Sequence, residues 1–123
     1  MRRFTPTLTR LAEKVKPGRR KKLKEPRELL EWIRAKAPVP GKDWDAAILV
    51  AVRPGEEIPT HTHAEHTLVY YADPLGVPII VNGNPFYPQA GDVVYLPPQT
   101  PHSVPRNTVG RVRVSIGMLI QGD

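Results

Sequence analysis

Four histidines are spread over 123 residues, and three of them, His61, His63 and His66, fall within six positions. The fourth, His102, closes a Pro-rich turn, Leu96-Pro97-Pro98-Gln99-Thr100-Pro101-His102. Imidazole is the commonest protein ligand for metals near neutral pH. On a strand, residues two apart face the same way. His61 and His63 can therefore aim at one point, and a histidine from another turn would complete a facial set. A lone strand histidine is more often a satisfied polar group, and His-x-His pairs also arise by chance. The frame around the pair has to decide.

That frame, Arg53-Pro54-Gly55-Glu56-Glu57-Ile58-Pro59-Thr60-His61-Thr62-His63, resembles the first motif of the cupin superfamily. The motif reads Gly, five residues, His-x-His, three or four residues, Glu, six residues, Gly. Here Gly55 is followed by five residues and then His61-Thr62-His63. The second cupin motif reads Gly, five residues, Pro-x-Gly, two residues, His, three residues, Asn. Here Gly91 is followed by five residues, Pro97-Pro98-Gln99, two residues and His102, with Asn107 one place beyond the usual Asn. Gln99 replaces the usual Gly. The resemblance covers about residues 45–121.

The resemblance implies an all-β fold, a double-stranded β-helix (jelly-roll) barrel, here with a short N-terminal helical extension. It also implies a homodimer. Its four-ligand set is broken, because the Glu position falls at Thr67 or Leu68 and neither is acidic. Two repairs follow. One is a three-histidine site of His61, His63 and His102, as in the thiol dioxygenases of the superfamily, with water in the open positions. The other adds Glu65, which shares strand parity with His61 and His63 if no bulge intervenes. His66 has the opposite parity.

Three imidazoles accept Fe(II), Zn, Ni, Mn or Cu, so the divalent transition metal is left unnamed. Three protein ligands leave open positions, the arrangement of a catalytic site. An all-imidazole set adds no negative charge, so the site stays cationic and favours a small anionic ligand. Tyr71 and Thr67 share parity with the histidines, and Tyr95 lies on the strand leading to His102. Tyr71, Tyr95 and Arg53 are the candidate catalytic groups, with Arg106 a second possible carboxylate partner; Tyr70 and Tyr87 are open. The expected function is a mononuclear metalloenzyme of oxygenase or isomerase/lyase type. The alternative is a non-catalytic ligand-binding or regulatory module whose basic N-terminal arm contacts nucleic acid.

The elements that must hold these residues follow from composition and pattern. The length supports one domain with a modest core. The absence of cysteine excludes disulfides and thiolate metal sites. No apolar run is long enough to span a membrane, and Met1-Arg2-Arg3 is not followed by a signal-type apolar region; a cytoplasmic protein is expected. Residues 1–42, expected as a basic extension, hold 14 Lys/Arg against 4 Glu, whereas residues 43–123, expected as the barrel, hold 4 Arg against 8 Asp/Glu. The block Arg19–Lys24 could grip phosphate. No stacking aromatics accompany it, so a solvated arm, or one packed on a neighbouring subunit, is favoured over a nucleic-acid grip.

Leu8, Leu11 and Val15 are spaced for a helix over about 7–16, and Leu29, Leu30, Ile33 and Trp32 for one over 26–37 that covers a side of the barrel. The second stripe, with strand 111–120, offers more apolar surface than a single small barrel needs, which also suggests a dimer. Strands are expected at Ala46–Val52, Thr67–Ala72, Val77–Val81, Val93–Leu96 and Arg111–Ile120. Asn82-Gly83 signals a hairpin. The last strand alternates, with Val112, Val114, Ile116, Met118 and Ile120 on one face and Arg111, Arg113 and Ser115 on the other.

Overall fold

In the computed structural model, which describes residues 2–16 and 20–121, a short 3-10 turn (Arg2–Phe4) leads into α1 (Thr5–Lys14). The helix starts before the expected residue 7 because Pro6 suits a first turn, where its missing N–H is not needed. Leu8 and Ala12, four apart on one face, are fully buried. Of the basic stretch, Met1, Pro17, Gly18 and Arg19 lie outside the described residues. β1 (Lys21–Lys22) and α2 (Arg27–Arg34) follow. α2 ends before the expected residue 37, and Arg34 accounts for the stop. Its buried guanidinium donates from Nε to Asp43 O (2.8 Å) and from its terminal nitrogens to Val39 O (3.2 Å) and Pro40 O (3.1 Å). Those bonds fold the linker back over the helix end.

The rest is strand: β2 (Ala46–Val52), β3 (Ile58–His61), β4 (His66–Asp73), β5 (Ile79–Val81), β6 (Asn84–Phe86), β7 (Val93–Leu96), β8 (His102–Val104) and β9 (Arg113–Ile120). They form two antiparallel sheets, ordered β1-β2-β9-β4-β7 and β3-β8-β5-β6. This is the expected double-stranded β-helix. Asn82 (φ 50°) and Gly83 (φ 80°) join β5 to β6 as a two-residue turn with Val81 opposite Asn84. Positive φ at both turn residues matches the twist of the flanking strands, which is why Asn-Gly was a reliable signal.

Both faces of the five-stranded sheet are covered. On β9, Val114, Ile116, Met118 and Ile120 join Leu49, Leu68 and Tyr70 in a cluster completed by Leu8, Ala12, Leu23, Leu29, Leu30 and Ile33. Trp32 meets Tyr70 edge to face, ring centres 6.0 Å apart. The opposite face of the same strands looks into the barrel. Two covered faces explain why β2, Ala-Ala-Ile-Leu-Val-Ala-Val, is apolar throughout rather than alternating.

Two expectations change here. The N-terminal third does not stand off as an arm: α1 lies on the chain's own sheet, and β1 extends that sheet through Lys21 opposite Leu49. The stripe Leu29, Leu30 and Ile33 is fully used inside the chain, so it no longer points to a second copy. The packing of α1 yields a direct test. Leu8→Ala should lower unfolding free energy by about 2–5 kcal/mol in chemical denaturation. The exposed neighbour Glu13, changed to Ala, should stay within about 0.5 kcal/mol of wild type.

Candidate metal centre

β3 and β8 pair so that His61 stands opposite His102. β3 ends at His61, and His63 lies in the segment leading to β4. The two histidines of the first motif therefore converge by a different route from simple strand parity. The chain turns after His61, and His63 O accepts a bond from Gln99 N at 2.7 Å, which ties the first motif to the second. Gln99 adopts φ 62° where the cupin pattern has Gly, while Gly55 (φ 85°) and Gly91 (φ 91°) keep the left-handed backbone that glycine favours. Asn107 is buried and fastens the far side of the same turns. Its Nδ2 donates to Val52 O (2.8 Å) and Arg111 O (2.9 Å), its backbone N to Glu56 O (2.8 Å), and its backbone O accepts from Gly55 N (2.8 Å).

The outcome is a cluster in which one ligand atom from each of His61, His63 and His102 lies within 4.8 Å of the others. Nitrogens bound to one ion at about 2.1 Å sit no more than about 4.2 Å apart, so a small closure of the side chains completes the set. Two of the rings are already oriented. Nδ1 of His61 donates to Pro59 O (2.9 Å) and Nδ1 of His102 to Thr100 O (2.9 Å). A carbonyl only accepts, so these nitrogens carry the proton and Nε2 keeps the lone pair. Ring N–H groups held by outer partners are the usual support of metal-ligating histidines. On donor chemistry the three residues fit a divalent transition metal.

Burial lowers the pKa of both His63 and His102. At His63 the neighbours His61 and His102 add to the effect, Glu65 opposes it and Arg20 contributes further. At His102 the bond to Thr100 opposes the burial and His61 reinforces it. Neutral, ligand-ready imidazoles are the consequence.

The cluster opens on a cavity of about 120 Å³ inside the barrel. Thr67 and Tyr71 line it, two alternate residues of β4. Other candidates are elsewhere. Tyr95 is on the outer side of β7, packed against the helix-side core, and its hydroxyl meets His66 Nδ1 at 2.6 Å. Tyr95 lies on the strand leading to His102 as expected, but Val94 and Leu96 take the inner face of that strand, so Tyr95 points outward. Arg53 turns away to Ala12 O at the end of α1 (3.4 Å), and Arg106 pairs with Glu57 at the surface (3.6 Å). Tyr70 is in the helix-side core and Tyr87 is exposed. Glu65 stands in the bend between β3 and β4, where strand parity does not operate, and is not among the clustered groups.

Two cavity residues were missed as site groups. Arg113 had been set on the polar face of the last strand, but that face is the barrel interior; Arg113 is 1% exposed and lines the cavity with Ser115. Arg20, from the basic block, reaches the same cavity. The alternation of β9 was the signal available for Arg113, had its apolar face been assigned to the helices.

A family model described as a cupin domain matches residues 48–116. None of the curated proteins matches the sequence. Among solved structures, a predicted oxalate decarboxylase from Thermotoga maritima is 25% identical, with TM-score 0.54 over 62% of this chain and 65% of that one. DMSP lyase DddQ from Ruegeria pomeroyi is 25% identical, with TM-score 0.53 over 63% and 38%. A Cupin 2 conserved barrel domain protein from Salinispora arenicola is 23% identical, with TM-score 0.56 over 84% and 75%. The match thus spans less than two thirds of the first two of these proteins.

The histidine environment sets a pH expectation. In metal-free protein, the ring signals of His63 and His102 should titrate in NMR with midpoints below 6.5, the ordinary imidazole value. Because the folded values lie below the unfolded one, the unfolded chain binds protons first as pH falls. This contribution to stability is complete above pH 6.5 and lost progressively below it. Midpoints at or above 6.5 would contradict the burial argument.

Proposed function

We propose that this chain, which belongs to the cupin domain family, is a mononuclear metalloenzyme that holds a divalent transition metal on His61, His63 and His102 and acts on a small anionic molecule. The observation that carries this is the convergence of three imidazoles, two of them pre-oriented by backbone carbonyls, on one cavity. The cavity adds two arginines, Arg20 and Arg113, and no acidic side chain among the described residues, so an anion is the favoured occupant. A bound divalent ion would supply Lewis-acid polarisation of a ligand oxygen.

The chain's own groups supply the rest. The carbonyls of Pro59 and Thr100 hold the rings of His61 and His102 in place. Ile48, Val50, Ile58 and Val104 keep the cavity walls apolar and limit water. Burial raises the Tyr71 hydroxyl pKa, against the opposing pull of Arg113. Tyr71 therefore keeps its proton near neutrality and serves as a donor, not a base. Of the reaction types open to such a site, the names of the two neighbours at 25% identity, a predicted decarboxylase and a lyase, support bond cleavage over oxygenation. A second reading, a non-catalytic ligand-binding module, has one observation on its side. With no acidic group in the cavity, proton transfer falls to Tyr71, the histidines and water. Turnover assays on small carboxylates separate the two.

Elemental analysis tests the centre itself. Alanine at any one of His61, His63 or His102 should remove most bound metal, and Glu65→Gln should leave the content largely unchanged. Stoichiometric metal in the triple-alanine variant would sink the assignment. The homodimer rests on family resemblance alone, and a light-scattering mass near 13.8 kDa across a concentration series would count against it.

A further inference from the structure

Arg113 is the largest fully buried side chain in the barrel wall, yet it has no acidic partner among the described residues. Its Cζ lies 5.1 Å from the centre of the Tyr71 ring, also fully buried. By hydrogen-bond geometry neither Arg113 Nε nor the Tyr71 hydroxyl is satisfied by a described residue, although the two are close enough for the guanidinium to hold down the rise in the Tyr71 pKa. Buried polar groups are nearly always bonded, and a buried guanidinium without a counter-charge is costly. Two such groups side by side, both lining one cavity, mark a place where a ligand completes the bonding.

We infer that Arg113 and the Tyr71 hydroxyl form the seat for the carboxylate of a small monocarboxylate ligand, whose short apolar body extends through the cavity toward the histidines. This rests on the reading of the cavity as the ligand site. Guanidinium pairs with carboxylate in a planar, often bidentate contact, and a hydroxyl can add a third donor. Arg20, the cavity's other arginine, is exposed, and the walls around the buried pair are otherwise largely aliphatic, which suits the apolar body of a monocarboxylate better than a phosphate, whose oxygens call for donors on every side. Gly117 lines the same cavity, and a Cβ there meets nothing within 4 Å. That open volume leaves room for the ligand's apolar body, and a side chain introduced there would occupy it.

The test titrates the full-length protein with propanoate and with its neutral isostere propanamide, before and after chelator treatment, by calorimetry and thermal shift. Propanoate should bind and raise Tm in both states, and propanamide at least tenfold more weakly. Arg113→Met should weaken propanoate at least tenfold with bound metal unchanged. It should also raise the Tm of the ligand-free protein, because an unpaired buried charge is removed; a role in holding the fold would lower it. Tyr71→Phe, a smaller change, should weaken propanoate severalfold, and Gly117→Val should block it. Propanoate binding that vanishes with the metal and ignores Arg113 would overturn the seat by placing the carboxylate on the ion. Equal binding of the amide would overturn it too. Loss of metal in the triple-alanine variant with propanoate binding retained would confirm the seat independently of the metal assignment.

Discussion

The five-stranded sheet has two buried faces, and the structure depends on how they are divided. Side chains alternate along each strand, so β9 sends Val114, Ile116, Met118 and Ile120 toward the helices and Arg113, Ser115, Gly117 and Leu119 toward the cavity. β4 divides in the same way, with Leu68 and Tyr70 outward and Thr67, Val69 and Tyr71 inward. A shift of one residue in register would exchange core and site together. The apolar outward face specifies the register, and the chemical face follows from it.

The histidine cluster was legible because motif spacing encodes a turn geometry and not merely a residue list. Gly55 and Gly91 sit at positive φ where the pattern places them, and His61 faces His102 across two paired strands. What parity could not reach was the bend after His61, since period-two reasoning ends where the strand ends. Glu65 was considered on that basis, and the bend removes the basis. Tyr95 and Arg113 share a different cause. Each lies on a strand whose two faces are both buried, and choosing the inner face requires knowing what covers the outer one. An arginine in an alternating strand reads as solvent-facing until helices are found on the other side.

Those helices were the least legible part. Their apolar spacing was visible, and so was the hairpin at Asn82-Gly83, because both are local signals. The surface that receives Leu8, Ala12, Leu29 and Ile33 is assembled from β2, β4 and β9, distant in sequence. High positive charge in the first 42 residues drew attention to partners outside the chain. The charges stand on the exposed side of elements whose apolar side is committed to the core, so charge and packing coexist on different faces.

This division bears on how so small a barrel can hold a polar cavity. Inside, the buried apolar cluster is Tyr71, Ile79 and Leu96 with a few partly covered neighbours, a poor core for a domain of this length. It also contains a guanidinium with no acidic partner among the described residues, whose Nε and the neighbouring Tyr71 hydroxyl are left short of hydrogen bonds, and this opposes folding. The main cluster lies outside the barrel, between the sheet and the two helices. Stability is thereby concentrated where there is no chemistry, and the interior is released from the demand for close apolar packing. The helices of the N-terminal third then contribute to function from outside the barrel: they bury the outward face of the strands, and that burial offsets the cost of keeping Arg113 and Tyr71 available within.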